Sequence, residues 1–480
     1  MSRPTIFVFA MFLILSTAQF AQAAVLIGVD HSAPYTMSAY LSDSGGDRLL
    51  HDEEERGRNE MIITSMEPGV QLPAGMFGLQ GLANDTTKTM VVHEDNNGNP
   101  TQGYMATTNT ANSVVVPMAD GGYDGADTTI LVQNTAPFTG SVHFNLYTAV
   151  PDSPGPASVA SASSVTLGPG QAASLDVGKL FSSSGFPGAA IMTSTATLAG
   201  AAVHSTSSGQ TFAHPAGEPT YDDRLFPVLH NGDGGWLTEV EVFNAGDNTI
   251  YDTDNIFRYW PVTSTKTIAQ ESTSILPKNR VNYDPSTQAG LSAGNRYTGI
   301  MSIDVTNTGY AAMARSTNLN TGQTMSYQGL LPKDVQAELS FPYVKWDNNG
   351  LNTSLYIENM YFMTDTVELY AYDSTGSPLA GTPMTWTDVG PLHCLEIDMA
   401  ATFSTTSTFF GSALVRAVSN RDVLAGVAES TSPTSAMAYA PQGEEIFARA
   451  RWAPFYAPIQ LIGGAPPVLP PYSLLLDQAE

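Results

Sequence analysis

The sequence holds one cysteine, Cys394, in 480 residues. An intrachain disulfide is therefore excluded, even in an oxidising compartment that would permit bridges. Cys394 lies in the strand-like stretch PLHCLEIDM, where a small buried hydrophobe is its expected role. Basic residues are scarce: 19 Lys plus Arg stand against 45 Asp plus Glu, a formal charge of −26. A polyanion of this kind repels nucleic acid and anionic lipid, so no nucleic-acid partner is expected. Beyond the first residues, no run approaches the roughly 20 apolar residues of a spanning helix, and the chain is not expected to cross a membrane. Catalytic signatures are missing as well. There is no Gly-x-Ser-x-Gly elbow, no His-Glu-x-x-His, no Walker loop and no Gly-x-Gly-x-x-Gly after a strand. Neither catalysis nor a required cofactor is expected.

Residues 1–23 read as a secretory signal peptide, with Arg3, an apolar stretch over 6–15 and small residues at Ala21-Gln22-Ala23. The mature protein is expected to be secreted and soluble, at the cell surface or outside the cell, with the periplasm as the alternative. Gly, Ser, Thr, Ala, Asn and Pro are abundant, and short alternating runs such as SVHFNLYTAV and TVELYAYDS lie between turn signals. That pattern predicts an all-β chain of antiparallel sandwiches.

A repeat sharpens this. Pro117, Pro227 and Pro342 each close an apolar run and precede a polar, Gly-containing turn. Eleven residues after each comes Thr128, Thr238 or Thr353. Seventeen residues after each comes Asn134, Asn244 or Asn359. Gly188, Gly299 and Gly411 then open the second half of each unit, which an aromatic strand closes around Phe212, Tyr327 and Tyr439. A fourth copy lies in front, with Gly78 and Tyr104 at the marker positions. Its opening Pro-containing strand is missing. RWAPFYAPIQLI near the C-terminus resembles that strand, with Pro454 falling 112 residues after Pro342.

The expected organisation is a signal peptide (1–23), then four tandem immunoglobulin-like sandwiches at 24–112, 113–220, 221–335 and 336–445. A spare strand and Pro-rich tail (446–480) follow. A sandwich one strand short exposes a pairing edge. The expected donor residues are Trp452, Pro454, Phe455, Tyr456, Ile459, Leu461 and Ile462. The strand can close onto its own chain, enter the next molecule and build a head-to-tail filament, or remain unengaged.

Ligand signals are weaker. Asp95, Asn97 and Asn99 alternate in EDNNGNP and suit calcium, the one candidate ion, although Pro100 stands where an EF-type loop needs glycine. Asn, Asp and Gly are also ordinary turn residues, and plain turns are the favoured explanation. The acidic LLHDEEERGRNE is expected to be a solvated hairpin loop. Tyr123 and Trp236 occupy similar turns, but the third copy has Leu351 nearby, so a repeated sugar platform fails there.

The pattern GGWLTEVEVFNAG, with a later GxxxV strand and a closing SYQG, resembles β-sandwich repeats of bacterial exported surface proteins over most of residues 24–445. The resemblance implies an extracellular structural or adhesive role without catalytic residues. The favoured expectation is a surface or filament subunit whose partner is itself, assembling by C-terminal strand donation to the first unit. The alternative is a monomeric adhesin or carbohydrate-binding protein with a surface glycan as partner.

Overall fold

The computed structural model describes residues 23–31, 35–42, 48–65, 76–83, 88–94, 100–105 and 453–460. It also describes 110–441 except 124, 152–156, 182–184, 263–265, 305–308, 349, 404–407 and 420. The expected leader over 1–22 and the tail over 461–480 lie outside the described residues.

Those residues are β throughout, apart from the helical turns α1 (Val177–Phe181) and α2 (Met399–Thr402) and two short 3-10 turns. The first unit holds β1 (Ala23–Val29), β2 (Tyr35–Ser42), β3 (Arg48–Arg56), β4 (Met61–Ser65), β5 (Met76–Ala83), β6 (Lys88–Glu94) and β7 (Pro100–Met105). The second holds β8 (Ala111–Val116), β9 (Gly121–Tyr123), β10 (Ala126–Asn134), β11 (Gly140–Thr148), β12 (Ser158–Leu167), β13 (Ala172–Asp176), β14 (Gly188–Thr206) and β15 (Thr211–Pro215). The third holds β16 (Arg224–Asp233), β17 (Trp236–Asn244), β18 (Asn255–Pro261), β19 (Ala269–Glu271), β20 (Arg280–Tyr283), β21 (Asn295–Ile303), β22 (Tyr310–Asn318) and β23 (Thr324–Gln328). The fourth holds β24 (Glu338–Trp346), β25 (Asn352–Asn359), β26 (Asp365–Asp373), β27 (Met384–Val389), β28 (Cys394–Asp398), β29 (Phe409–Ala417), β30 (Leu424–Thr431) and β31 (Ala436–Tyr439). One more strand follows, β32 (Ala453–Gln460).

All pairing between these strands is antiparallel, and one order recurs. In the fourth unit the sheets run β24-β29-β26-β27 and β28-β25-β30-β31. The third repeats this as β16-β21-β18-β19 and β20-β17-β22-β23. The second does so as β8-β14-β11-β12 and β13-β10-β14-β15. In the second unit one apolar core joins the two paths, with Val114 and Val116 of β8 against Ile130 and Val132 of β10 and Phe144 of β11. Alternation of buried and exposed residues along β11 and β26 matches this half-buried geometry.

The repeated residues each carry a structural task. Asn134, Asn244 and Asn359 are the last residues of β10, β17 and β25. Each Nδ2 donates to carbonyls at the strand end, two for Asn244 and Asn359 and three for Asn134, such as Met363 O (2.9 Å) and Val389 O (2.8 Å) for Asn359. Each Oδ1 accepts the N–H two residues on, as Tyr361 N does at 2.9 Å. The side chain thus replaces the ladder where the chain turns out of the sheet. Thr238 and Thr353 clamp the two sheets together. Their Oγ1 atoms accept the N–H of His230 (2.8 Å) and Lys345 (3.0 Å), and they bond Ser316 and Ser430 on the neighbouring strand. Thr128 bonds His204 Nδ1 instead (3.1 Å).

Two local expectations fail. The acidic stretch expected as a hairpin loop is β3, paired along its length with β2. Asp and Glu are poor strand formers, but β3 lies at the end of its sheet, where charge discourages further pairing. The second half of the second unit is a single 19-residue strand, β14, that passes from one path to the other. The corresponding strands of the third and fourth units are separated by TNTG and SNRD, whereas STATLAG in β14 offers no such turn run.

Candidate functional site: the closing strand and the hub

In the first unit the sheets run β4-β1-β6-β7 and β3-β2-β5-β32. The strand place filled by β8, β16 and β24 in the other units is filled here by β32, from the far end of the chain. The sequence left three fates for that strand. In the structure it pairs with β5 of its own chain over eight residues, and donation to a neighbour, the favoured expectation, is not the pairing seen.

By register, Pro454 stands opposite Leu82, Phe455 opposite Gly81, Tyr456 opposite Gln80 and Ile459 opposite Phe77. Trp452, Leu461 and Ile462 lie outside the described residues, as do Asp95, Asn97 and Asn99. The register at the marker glycine differs from unit to unit: Gly78 faces Pro458, four residues past Pro454, Gly411 faces Val344, two past Pro342, and Gly299 faces Phe226, one before Pro227. Both prolines of β32 are tolerated because β32 ends its sheet and its outer side needs no donors.

Closure also brings the units around a common axis. The strands that end each unit meet: β7 touches β15 and β31, and β23 touches the same two. Each opening strand packs on the following unit, β16 on β25 and β30, β24 on β1 and β6, and β32 on β10 and β14. Core residues are shared across these joints. Ile27, Val29 and Met90 of the first unit pack in one cluster with Leu339, Phe341 and Trp346 of the fourth. Tyr356, Val427 and Cys394 pack with the core of the third. Cys394 is thus buried as expected, but in a joint rather than inside its own sandwich.

The hub is lined by the closing aromatics. Tyr104, Phe212, Tyr327 and Tyr439 are all buried. Tyr327 Oη donates to Val228 O and Tyr439 Oη to Tyr343 O, each at 2.6 Å. Both acceptors follow the repeat proline, so these hydroxyls pin the opening strand. Phe212 has no hydroxyl and is covered instead by the His204 ring, stacked nearly parallel at 4.4 Å. Burial pushes the Tyr104 phenol above its ordinary range. A small cavity opens where the connections between units converge on the hub, lined by Tyr104, Arg224, Gln328, Lys333, Asp334 and Ala440, among others. Arg224 is buried there and donates to Gly329 O (3.2 Å) and Glu218 O (3.2 Å). Burial lowers its pKa.

The joints carry charge that sequence patterning did not single out. The residue three past each repeat proline, Asp120, His230 or Lys345, is buried. Asp120 Oδ1 accepts from Arg280 Nη2 of the next unit (2.9 Å) and from Gly188 N (2.9 Å). Arg280 also approaches Glu241 (3.9 Å), and Arg315 pairs with Glu239. Burial raises the pKa values of Asp120 and Glu241 against the pull of the arginines. His230 Nε2 meets Glu429 of the fourth unit at 3.0 Å, and its Nδ1 lies 3.7 Å from Asp233. Burial opposes the imidazolium, but Glu429 and Asp233 outweigh it and raise the His230 pKa to about 9. Glu358 is buried with neither carboxylate oxygen hydrogen-bonded, and burial alone holds its pKa well above the usual range.

Glu358 apart, these groups are committed to one another. The polar turn after Pro117 spends Asp120 on Arg280. Tyr123 lies beneath the Arg280 guanidinium (5.9 Å), and Trp236 lies beside His230 (6.4 Å). Among the described residues no group of three or more His, Cys, Asp or Glu is placed to hold a metal ion. Among them, too, no helix is long and apolar enough to cross a membrane.

No family model matches the sequence, and no curated protein sequence does. Three solved structures give weak structural matches. One is a tetra-tandem repeat from the extending region of a large adhesion protein, 15% identical, covering 88% of this chain and 95% of that one, TM-score 0.11. Another is the B domain of a biofilm-associated protein, 8% identical, covering 51% of this chain and 80% of that one, TM-score 0.14. The third is dimeric latent PorU from Porphyromonas gingivalis, 11% identical, covering 85% of this chain and 34% of that one, TM-score 0.14.

Proposed function

We propose that the protein is an exported, non-catalytic structural module of the cell surface. In this reading four immunoglobulin-like sandwiches are held as a ring by the chain's own C-terminal strand. The observation that carries it is the pairing of β32 with β5, which gives the first unit the strand order of the other three. Closing the edge satisfies backbone groups that would otherwise invite foreign strands. The buried joints fit a rigid spacer or platform, in which ligand contacts lie on the outer loops.

A second reading keeps the expected head-to-tail assembly. The same edge and strand serve equally between two chains, as a domain swap that generates filaments. It is favoured by the position of β32 as the end strand of its sheet, attached to the first unit on one side only.

Paired cysteines separate the two. Gly81 and Phe455 stand directly opposite each other. A chain carrying Gly81→Cys and Phe455→Cys, oxidised at low concentration, is expected to give a cross-linked monomer of altered mobility. A ladder of covalent oligomers would establish exchange between chains. No cross-link in either form would remove the closure reading altogether.

A further inference from the structure

Four aromatic side chains are more than half exposed among the described residues: Phe138 (52%), Tyr221 (57%), Tyr251 (58%) and Phe362 (75%). All four lie at one end of the sandwiches. Phe138 is in the loop between β10 and β11, Tyr251 between β17 and β18, and Phe362 between β25 and β26. These are the same loop in three units. Tyr221 lies in the connection from β15 to β16. Because β10 and β15 both run antiparallel to β14, β15 finishes at the end where β10 finishes. Units that succeed one another around a closed ring present equivalent loops on one face, so the four rings share it.

The loops are braced to present these groups. Asn134 Nδ2 holds Phe138 O (2.8 Å), Asn244 holds Asn248 O (2.8 Å) and Asn359 holds Met363 O (2.9 Å). Tyr361 packs against Phe362 (4.1 Å between rings), and Arg421 Nη1 donates to Tyr361 Oη at 2.9 Å. Exposed aromatics on such fixed loops mark a contact surface. Two of the four have carboxylates close by in sequence, Asp222 after Tyr221 and Asp252 after Tyr251, whereas Asp365, after Phe362, already accepts from Ser419 and Thr366.

Separated aromatics with carboxylates beside them select the partner. A protein hot spot is a contiguous desolvated patch, whereas these rings stand on loops of three different units. A second copy would set acidic loops against acidic loops, and anionic lipid is repelled by the net charge of −26. A sugar ring offers an apolar C–H face for stacking and hydroxyls that donate to carboxylates, and a polymer repeats both. We propose that this face binds a neutral polysaccharide, with Phe138, Tyr221, Tyr251 and Phe362 stacking on sugar faces and the neighbouring aspartates accepting hydroxyl hydrogens. This deepens the surface-module reading and rests on its ring arrangement.

The test is depletion of the full mature chain by microcrystalline cellulose, chitin and curdlan, with phosphatidylcholine vesicles and vesicles containing phosphatidylglycerol alongside. Retention on at least one polysaccharide and on neither vesicle is expected. Phe362→Ala or Tyr251→Ala should weaken it about tenfold. The quadruple alanine variant should weaken it by about a hundredfold or more, since the contacts are linked. Leu319→Ala, an exposed residue between β22 and β23 at the opposite end, should leave binding unchanged. Thermal melts confirm that these exposed substitutions leave the fold intact. The proposal is overturned by no retention on any of the three polysaccharides, by equal binding of the quadruple variant, or by aromatic-dependent binding to vesicles. Closure fails only in the cysteine experiment, so the two failures are distinguishable.

Discussion

The joint between the second and third units and the joint between the third and fourth share one geometry but are wired with opposite charge. In the first, the residue three past the proline is an acid, Asp120, facing Arg280 and the nearby Arg315. In the second it is a base, His230, facing Glu429. Arg315 and Glu429 are equivalent in the repeat, each one residue before the serine bonded to the clamping threonine. In these two joints the slot holds one buried charge, and the next unit supplies its complement. Arginine stays charged at every ordinary pH, whereas histidine titrates. Two joints of one architecture thus differ in how they respond to pH.

The largest expected effect comes from breaking the arginine joint. Arg280→Met strands Asp120 and Glu241 in an apolar setting and should cost about 3–5 kcal/mol at pH 7. Urea denaturation would measure it, and a loss under about 1 kcal/mol would mean that water reaches the joint. The histidine joint should lose strength with alkali. The raised His230 pKa means its contribution is complete below the unfolded value of 6.5 and is lost as pH rises through about 9. That shift corresponds to roughly 3 kcal/mol across the window. His230→Gln should flatten the decline between pH 6.5 and 9. A wild type equally stable at both ends would show that the pair does not titrate as a unit.

A smaller effect is expected at Glu358, which burdens only the fourth unit. Its raised pKa makes it harmless below about 4.5 and increasingly costly above. Glu358→Gln should therefore stabilise the protein by about 1–2 kcal/mol at pH 8 and change little at pH 4. Melting temperatures at the two pH values would show it, and equal shifts at both would exclude ionisation as the cause. The smallest effect concerns the hub. Tyr439→Phe removes the hydroxyl that holds Tyr343 O and should cost about 1 kcal/mol. Tyr104→Phe should cost as much only when β32 is present, because the opening strand that Tyr104 would pin is β32. A full-size cost in a chain lacking residues 446–480 would disprove that role.

Much of the local structure was legible because single residues carry it. The threonines and asparagines of the repeat stand out by spacing: the asparagines make the same turn bonds in three units, and Thr238 and Thr353 the same clamp, while Thr128 bonds His204. Hydrophobicity alone would carry SLYIENMYF through as one run, but the repeat asparagine marks the end of β25 at Asn359 and leaves Tyr361, Phe362 and Met363 in a loop. Another stretch misled. The acidic β3 reads as a loop because strand preference averages over edge and centre. The joint charges were invisible for another reason. Asp120, His230 and Lys345 look like ordinary turn-side polar residues until the next unit is set against them.

The sequence alone determined the β class, the repeat length, the strand ends marked by asparagine and the candidate closing strand, because these depend on contacts near in the chain or on periodicity. Tertiary structure alone decided that β32 pairs within its own chain, that the closing strands meet at a hub, and which charges face one another across the joints. Those outcomes depend on the relative placement of units hundreds of residues apart, and local composition does not encode it.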